Sequence, residues 1–194
     1  MEMMGNSAMR ECEEYLIGAF QDAYVDEKRN EIQVYQKNLA WLEFVNSNMR
    51  KALGVEGKVF KRDVYLLRKR SKPAVQKLLK LKARKGELDL NFVAGLFDSE
   101  GSVYLSTKSK IPVIDITQSS KGLECLKIAE KVLGKHGISC KLNGPYMHKH
   151  AVLPQYHLRI YGIKKCKQFL GLVPIFYVDK FVRHHLSGDY NPIL

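Results

Sequence analysis

The sequence predicts an α+β fold built from two pseudo-symmetric αββαββα repeats. Three observations lead there: an apolar helical motif written twice, the same order of elements after each copy, and landmark residues that recur in both halves. Strands fall in pairs between helices instead of alternating singly with them, which separates this pattern from a parallel α/β arrangement.

The first motif copy is Leu16-Ile17-Gly18-Ala19-Phe20-Gln21-Asp22, the second Val93-Ala94-Gly95-Leu96-Phe97-Asp98-Ser99-Glu100-Gly101. Each is an apolar helical stretch with a small residue at its centre and a carboxylate where the helix stops. A helix C-terminus carries partial negative charge, so an acid there costs helix stability and its presence calls for another explanation. If the two helices pack side by side through Gly18 and Gly95, their carboxylates converge, and two like charges at close range need a cation between them.

The remaining elements follow from periodicity. Glu11 to Asp22 has helical spacing, then Asp26 to Asn30 breaks it. Glu31 to Gln36 alternates polar and apolar residues as a half-buried strand does. Asn38 to Leu53 is helical, with Leu39, Leu42, Val45 and Met49 on one stripe, Trp41 at the stripe's edge and Gly54 as its stop. Basic strands are expected at Lys58 to Arg62 and Val64 to Arg68, and a helix near Ser71, where Pro73 suits a first turn. The second half repeats this order: strands near Ser102 to Thr107 and Pro112 to Gln118, joined by a turn at Lys108-Ser109-Lys110, a helix from Lys121 to His136, strands around Ser139 to Leu142 and Tyr156 to Tyr161, and a helix from Ile163. Gly18 aligns with Gly95, Gln36 with Gln118, Gly54 with Gly137, Tyr65 with Tyr156 and Leu78 with Leu170. The expected organisation is a first repeat over 1–82, a basic linker over 83–89 and a second repeat over 90–194.

The net charge of +12 is concentrated: between Lys58 and Lys85 twelve Lys and Arg residues face only Asp63. Such a field favours a polyanionic partner. Cys12, Cys125, Cys140 and Cys166 lack the paired spacing of a disulfide framework or zinc ribbon, and His148 and His150 bring no second ligand pair. The amino-terminal residues lack the order of a secretory signal, and the apolar run Phe169 to Val178 contains Pro174 and is too short to cross a bilayer. An intracellular protein without a membrane segment is expected. No Gly-rich phosphate loop and no Ser/His/Asp order appear.

From about Tyr15 to Phe181 the chain resembles the LAGLIDADG homing endonucleases in their single-chain, two-repeat form, with a good second motif and a first motif that departs from the pattern. Gly95 stands five residues before Glu100, whereas Gly18 stands four before Asp22, and Ala23 occupies the place of the acid. One residue corresponds to a turn of about 100° on a helix.

The resemblance implies two saddle-shaped antiparallel sheets lying along the DNA major groove, and a central interface of the two motif helices through Gly18 and Gly95. It implies Mg²⁺ or another divalent cation held by Asp22 and Glu100, and hydrolysis of both strands to leave 3′ overhangs. Gln36 and Gln118 would order water, and Lys72 and Lys164, at strand-to-helix junctions, would offset charge on the phosphate. Lys61, Arg68, Arg70, Tyr104, Ser106, Lys108, His157, Arg159 and Tyr161 are the expected DNA contacts. The implied partner is double-stranded DNA with a long asymmetric target site, bound by a monomer. Two alternatives stay open: a catalytically degenerate relative that binds DNA or intron RNA, maturase-like, and an unrelated basic nucleic-acid-binding protein.

Overall fold

The computed structural model describes residues 2–21, 23–84, 87–147 and 152–177, with side chains from Ser7 onward. Its elements in chain order are α1 (Glu2–Ala19), β1 (Tyr24–Asp26), β2 (Glu31–Gln36), α2 (Leu39–Leu53), β3 (Lys58–Lys61), β4 (Tyr65–Arg70), α3 (Lys72–Lys82), α4 (Leu90–Glu100), β5 (Gly101–Leu105), β6 (Pro112–Ser119), α5 (Leu123–Lys135), β7 (Lys141–Tyr146), β8 (Gln155–Tyr161) and α6 (Ile163–Leu172). The fold is α+β, with the expected element order in each half. The chain divides into two compact units between Gly95 and Leu96, inside α4.

In the first unit an antiparallel sheet has the order β1-β2-β4-β3. Strand residues alternate faces, so Ile32, Val34 and Leu67 point one way and are buried. The helices α2 and α3 cover that face. Local signals start and stop them: the Asn38 side chain accepts from the Trp41 N–H, Gly54 closes α2 at φ 69°, and Ser71 caps α3 ahead of Pro73. Trp41 is not at an edge but fully buried, because the hydroxyl of Tyr15 accepts its indole N–H at 2.9 Å and removes the cost of enclosing that donor. The Tyr15 ring also meets Phe44 edge-on, with centroids 5.0 Å apart.

α1 begins earlier and ends earlier than periodicity suggests, stopping at Ala19. Met, Glu, Ala and Arg favour helix before Glu11, and Phe20 and Gln21 close the last turn on the carbonyls of Leu16 and Gly18. The short strand β1 lies where a break is expected at Asp26, since three residues give alternation too little length to register.

The second unit contains a sheet ordered β5-β6-β8-β7. Its apolar row of Val103, Ile114, Ile116, Leu158 and Ile160 is buried under α5 and α6. β7 runs past the expected Leu142 to Tyr146, with a register shift between Asn143 and Tyr146 that spans Gly144 and Pro145. Pairing to β8 overrides the turn signal of that Gly-Pro step.

Candidate nucleic-acid interface

The helix-free face of each sheet carries charged and aromatic residues among a few apolar ones. In the first sheet the register places Tyr24, Gln33, Arg68 and Lys58 in one row, Asp26, Glu31 and Arg70 in the next, and Tyr35, Leu66 and Phe60 in a third. Glu31 is fully buried there. One of its carboxylate oxygens accepts from Arg68 Nε in a close ion pair and lies 3.4 Å from Arg70 Nε. The Arg68 hydrogen bond, working against burial, holds the Glu31 carboxyl below the usual carboxylate range. Glu31 Oε2 is buried without a hydrogen-bond partner among the described residues.

The second sheet uses Asp115 in a comparable way. Its carboxylate accepts from Arg159 Nε at 2.9 Å and from the Tyr104 hydroxyl at 3.1 Å, and His157 Nδ1 lies 3.0 Å from Oδ1. Thr117 completes the group at 3.0 Å from the same imidazole nitrogen. Burial opposes the charge on Arg159, yet the hydrogen bond and charge of Asp115 prevail and hold the guanidinium more firmly protonated. Burial, aided by the Asp115 charge, pushes the Tyr104 phenol up, so it remains a neutral donor.

Tyr104, His157, Arg159 and Tyr161 therefore share one face with Asp115. Arg68 and Arg70 share a face in the first sheet. Lys61 does not lie with them: it pairs with Tyr65, three positions from Arg68, and a strand period of two sends it to the side of Leu67. Ser106 lies in the β5–β6 turn, where its hydroxyl meets that of Ser109 and accepts the Ile111 N–H, and Lys108 is exposed at the tip.

The motif acids differ in environment. Asp98 is buried, and its two oxygens accept the backbone N–H groups of Phe176 and Tyr177 at 2.8 and 2.9 Å. Those bonds answer the cost of an acid near a helix end, and sequence pattern alone does not separate this carboxylate from its neighbour. Glu100 is the last residue of α4 and half-buried. Gly101 follows because a Cβ there would collide with the Phe97 ring and stand 2.5 Å from the Phe97 carbonyl oxygen. Asp22 lies outside the described residues, as do His148 and His150. Near the end of α1, Lys82 Nζ donates to the Phe20 carbonyl at 2.9 Å, a cation at the negative helix terminus that periodicity did not single out. Among the described residues no three His, Cys, Asp or Glu side chains gather as a preformed metal cluster.

The two glutamines occupy corresponding strand ends but differ in exposure. Gln36 is half-buried, and its Oε1 accepts the Lys37 N–H at 2.8 Å. Gln118 is 3% exposed, packs over Gly122, and leaves Nε2 without a partner among the described residues. Lys72 is the first residue of α3 and Lys164 the second of α6; both are exposed. Gly95 is buried against α1, 2.8 Å from the Ala19 nitrogen at the position a Cβ would take, and Gly18 is buried within α1.

Each of the two antiparallel sheets bears cations on one face, and the motif helix α4 ends in Glu100-Gly101. Residues 87–174 match the LAGLIDADG-like domain model. The chain has the fold of the single-chain, two-repeat LAGLIDADG homing endonucleases, so the resemblance read from the sequence holds. It is similar to the homing endonuclease I-DmoI solved with DNA and Mn, at 18% identity and a TM-score of 0.63, over 85% of this chain and 97% of that one. It is similar also to I-WcaI bound to its DNA recognition sequence, at 18% identity and a TM-score of 0.59, over 84% and 80% of the two chains. No curated protein matches the sequence. No helix among the described residues is long and apolar enough to cross a membrane.

Proposed function

We propose that the protein is a site-specific endonuclease that hydrolyses both strands of a long, asymmetric duplex DNA target and leaves 3′ overhangs. The observation that carries this reading is the division of labour at the end of α4. Asp98 is enclosed by backbone donors, while Glu100, two residues on, ends the helix with its side chain partly open to solvent.

A divalent cation fits this end by donor chemistry, since carboxylate oxygen is a hard ligand and the helix terminus is negative. Glu100 would hold it, with Asp22 as the second acid. When bound, such an ion polarises a phosphate oxygen and lowers the pKa of its water. Mg²⁺ is the proposed ion, and the relatives solved with Mn and Ca support a divalent site.

The chain's own residues supply the rest. Lys72 and Lys164, exposed at the starts of α3 and α6, offset charge on the scissile phosphates. Gln36 is open enough to order water; the burial of Gln118 favours a packing role in its half. Arg70, Lys108 and the basic stretch of the first half hold the DNA backbone. The repeats are assigned to 1–82 and 90–194, joined by 83–89, and act as a monomer inside the cell. The three-residue β1 against the five-residue β5 favours a shorter footprint for the first half, hence the asymmetry.

A second reading, binding of DNA or intron RNA without cleavage, is favoured by one observation. α1 ends at Ala19, three residues before Asp22, whereas α4 runs through its acid. Incubation of the full chain with a randomised duplex library and Mg²⁺, followed by sequencing of new ends, separates the two. Four-base 3′ overhangs at a shared motif support the endonuclease; retained duplexes without new ends support the binder.

A further inference from the structure

Arg68 and Arg159 occupy corresponding places. Each stands three residues beyond the tyrosine, Tyr65 or Tyr156, that pairs with the strand-end glutamine, Gln36 or Gln118. In both sheets a buried carboxylate of the neighbouring strand takes the Nε of that arginine. The carboxylates are not at matching positions. Asp115 lies directly opposite Arg159, while Glu31 lies opposite Arg70 and reaches Arg68 diagonally. The longer side chain spans the diagonal and the shorter one the direct pair. Two different sequence solutions thus hold the same arginine by the same atom.

We infer that Arg68 and Arg159 are guanine readers, each aimed outward from its sheet by a buried positioning carboxylate, Glu31 or Asp115. This rests on the duplex-binding reading above. A guanidinium already paired with a carboxylate has little net charge to offer a phosphate, so it contributes little through counterion release. Its Nη groups are the part of the fork that the carboxylate does not take. Among the major-groove edges only guanine offers two adjacent acceptors, O6 and N7, to such a pair of donors. The Tyr146 ring, 6.0 Å from Arg159 Cζ, and the Tyr104 and His157 contacts to Asp115 further restrict how Arg159 can swing. A fixed fork loses less freedom on binding than a mobile one and discriminates more sharply.

The test is selection of bound sites by the full chain from a randomised duplex library without divalent cation, so that cleavage does not intervene. The wild type should enrich guanine at a fixed position in each half of the site. Arg159→Ala should remove one of these preferences, by roughly 10- to 100-fold, and Arg68→Ala the other. Arg159→Lys keeps the charge but not the fork and should lose the same preference. Asp115→Asn should relax it without reducing the salt slope of binding, since the change leaves the Arg159 charge in place.

A uniform loss across all sequences in Arg159→Ala, with the salt slope reduced by about one, makes Arg159 a phosphate contact and overturns the inference. An Asp115→Asn protein that melts earlier yet keeps its guanine preference overturns the positioning role. Enrichment of a motif without guanine at these positions refutes this inference alone, whereas enrichment of no duplex refutes the duplex-binding reading beneath it.

Discussion

Gly95 lies so close to Tyr15 that a Cβ at position 95 would collide with the Tyr15 carbonyl oxygen and stand 2.8 Å from the Ala19 nitrogen. Backbone is less able to yield than a side-chain tip, so this contact explains the small residue at the motif's centre. Gly95→Ala should destabilise the protein by about 1–3 kcal/mol despite the better helix propensity of alanine. Urea unfolding of the two proteins measures the difference, and an unchanged midpoint would show that α1 shifts freely.

Glu100→Gln keeps the shape of the side chain and removes its charge. Cleavage of library duplexes should be lost while duplex binding stays near the wild-type level, because backbone contacts dominate affinity. Parallel gel-shift and end-sequencing assays report both quantities. Cleavage surviving the change would move the metal-holding role away from Glu100.

Asp98→Ala is expected to act on stability. It removes the acceptor that the N–H groups of Phe176 and Tyr177 use, at a cost of about 1 kcal/mol for each part-buried bond. Denaturant titration should show that loss, and hydrogen exchange should speed up at those two amides.

Tyr15→Phe removes the acceptor of the Trp41 indole N–H. Leaving that donor enclosed should cost about 1–3 kcal/mol. Trp41 is the only tryptophan, so its fluorescence follows unfolding directly. Equal midpoints for the two proteins would rule out a stabilising role for the bond.

The Arg68 hydrogen bond lowers the folded-state pKa of Glu31 from its ordinary 4.5. A depressed carboxylate stabilises the fold fully above its unfolded pKa and loses that contribution as pH falls through the folded value. Stability should therefore decline more steeply below about pH 4.5 in the wild type than in Glu31→Gln. Melting temperatures at pH 7, 5 and 3.5 check the sign; parallel curves for both proteins would contradict it.

Periodicity and motif repetition determined the α+β class, the doubled element order and the acid-terminated helix through Glu100. These depend on contacts within a few residues or on strict alternation, and both are written along the chain. Three residues carry too little pattern to define β1, and the side taken by Lys61 is not written along the chain because the register of β3 on β4 depends on the turn between them. Periodicity sets Trp41 only at the edge of its stripe, because the hydrogen-bond partner that lets it be enclosed, Tyr15, is distant in sequence.

Only the tertiary structure decided which charged groups share a face and which are enclosed. Asp98 and Glu100 look alike as letters, and backbone arriving from Phe176 distinguishes them. Glu31 and Asp115 look like ordinary strand acids until pairing with β4 and β8 sets them under arginines. Hydrogen bonds and ion pairs between residues tens of positions apart require the chain to be closed in space, and one residue of register changes every partner.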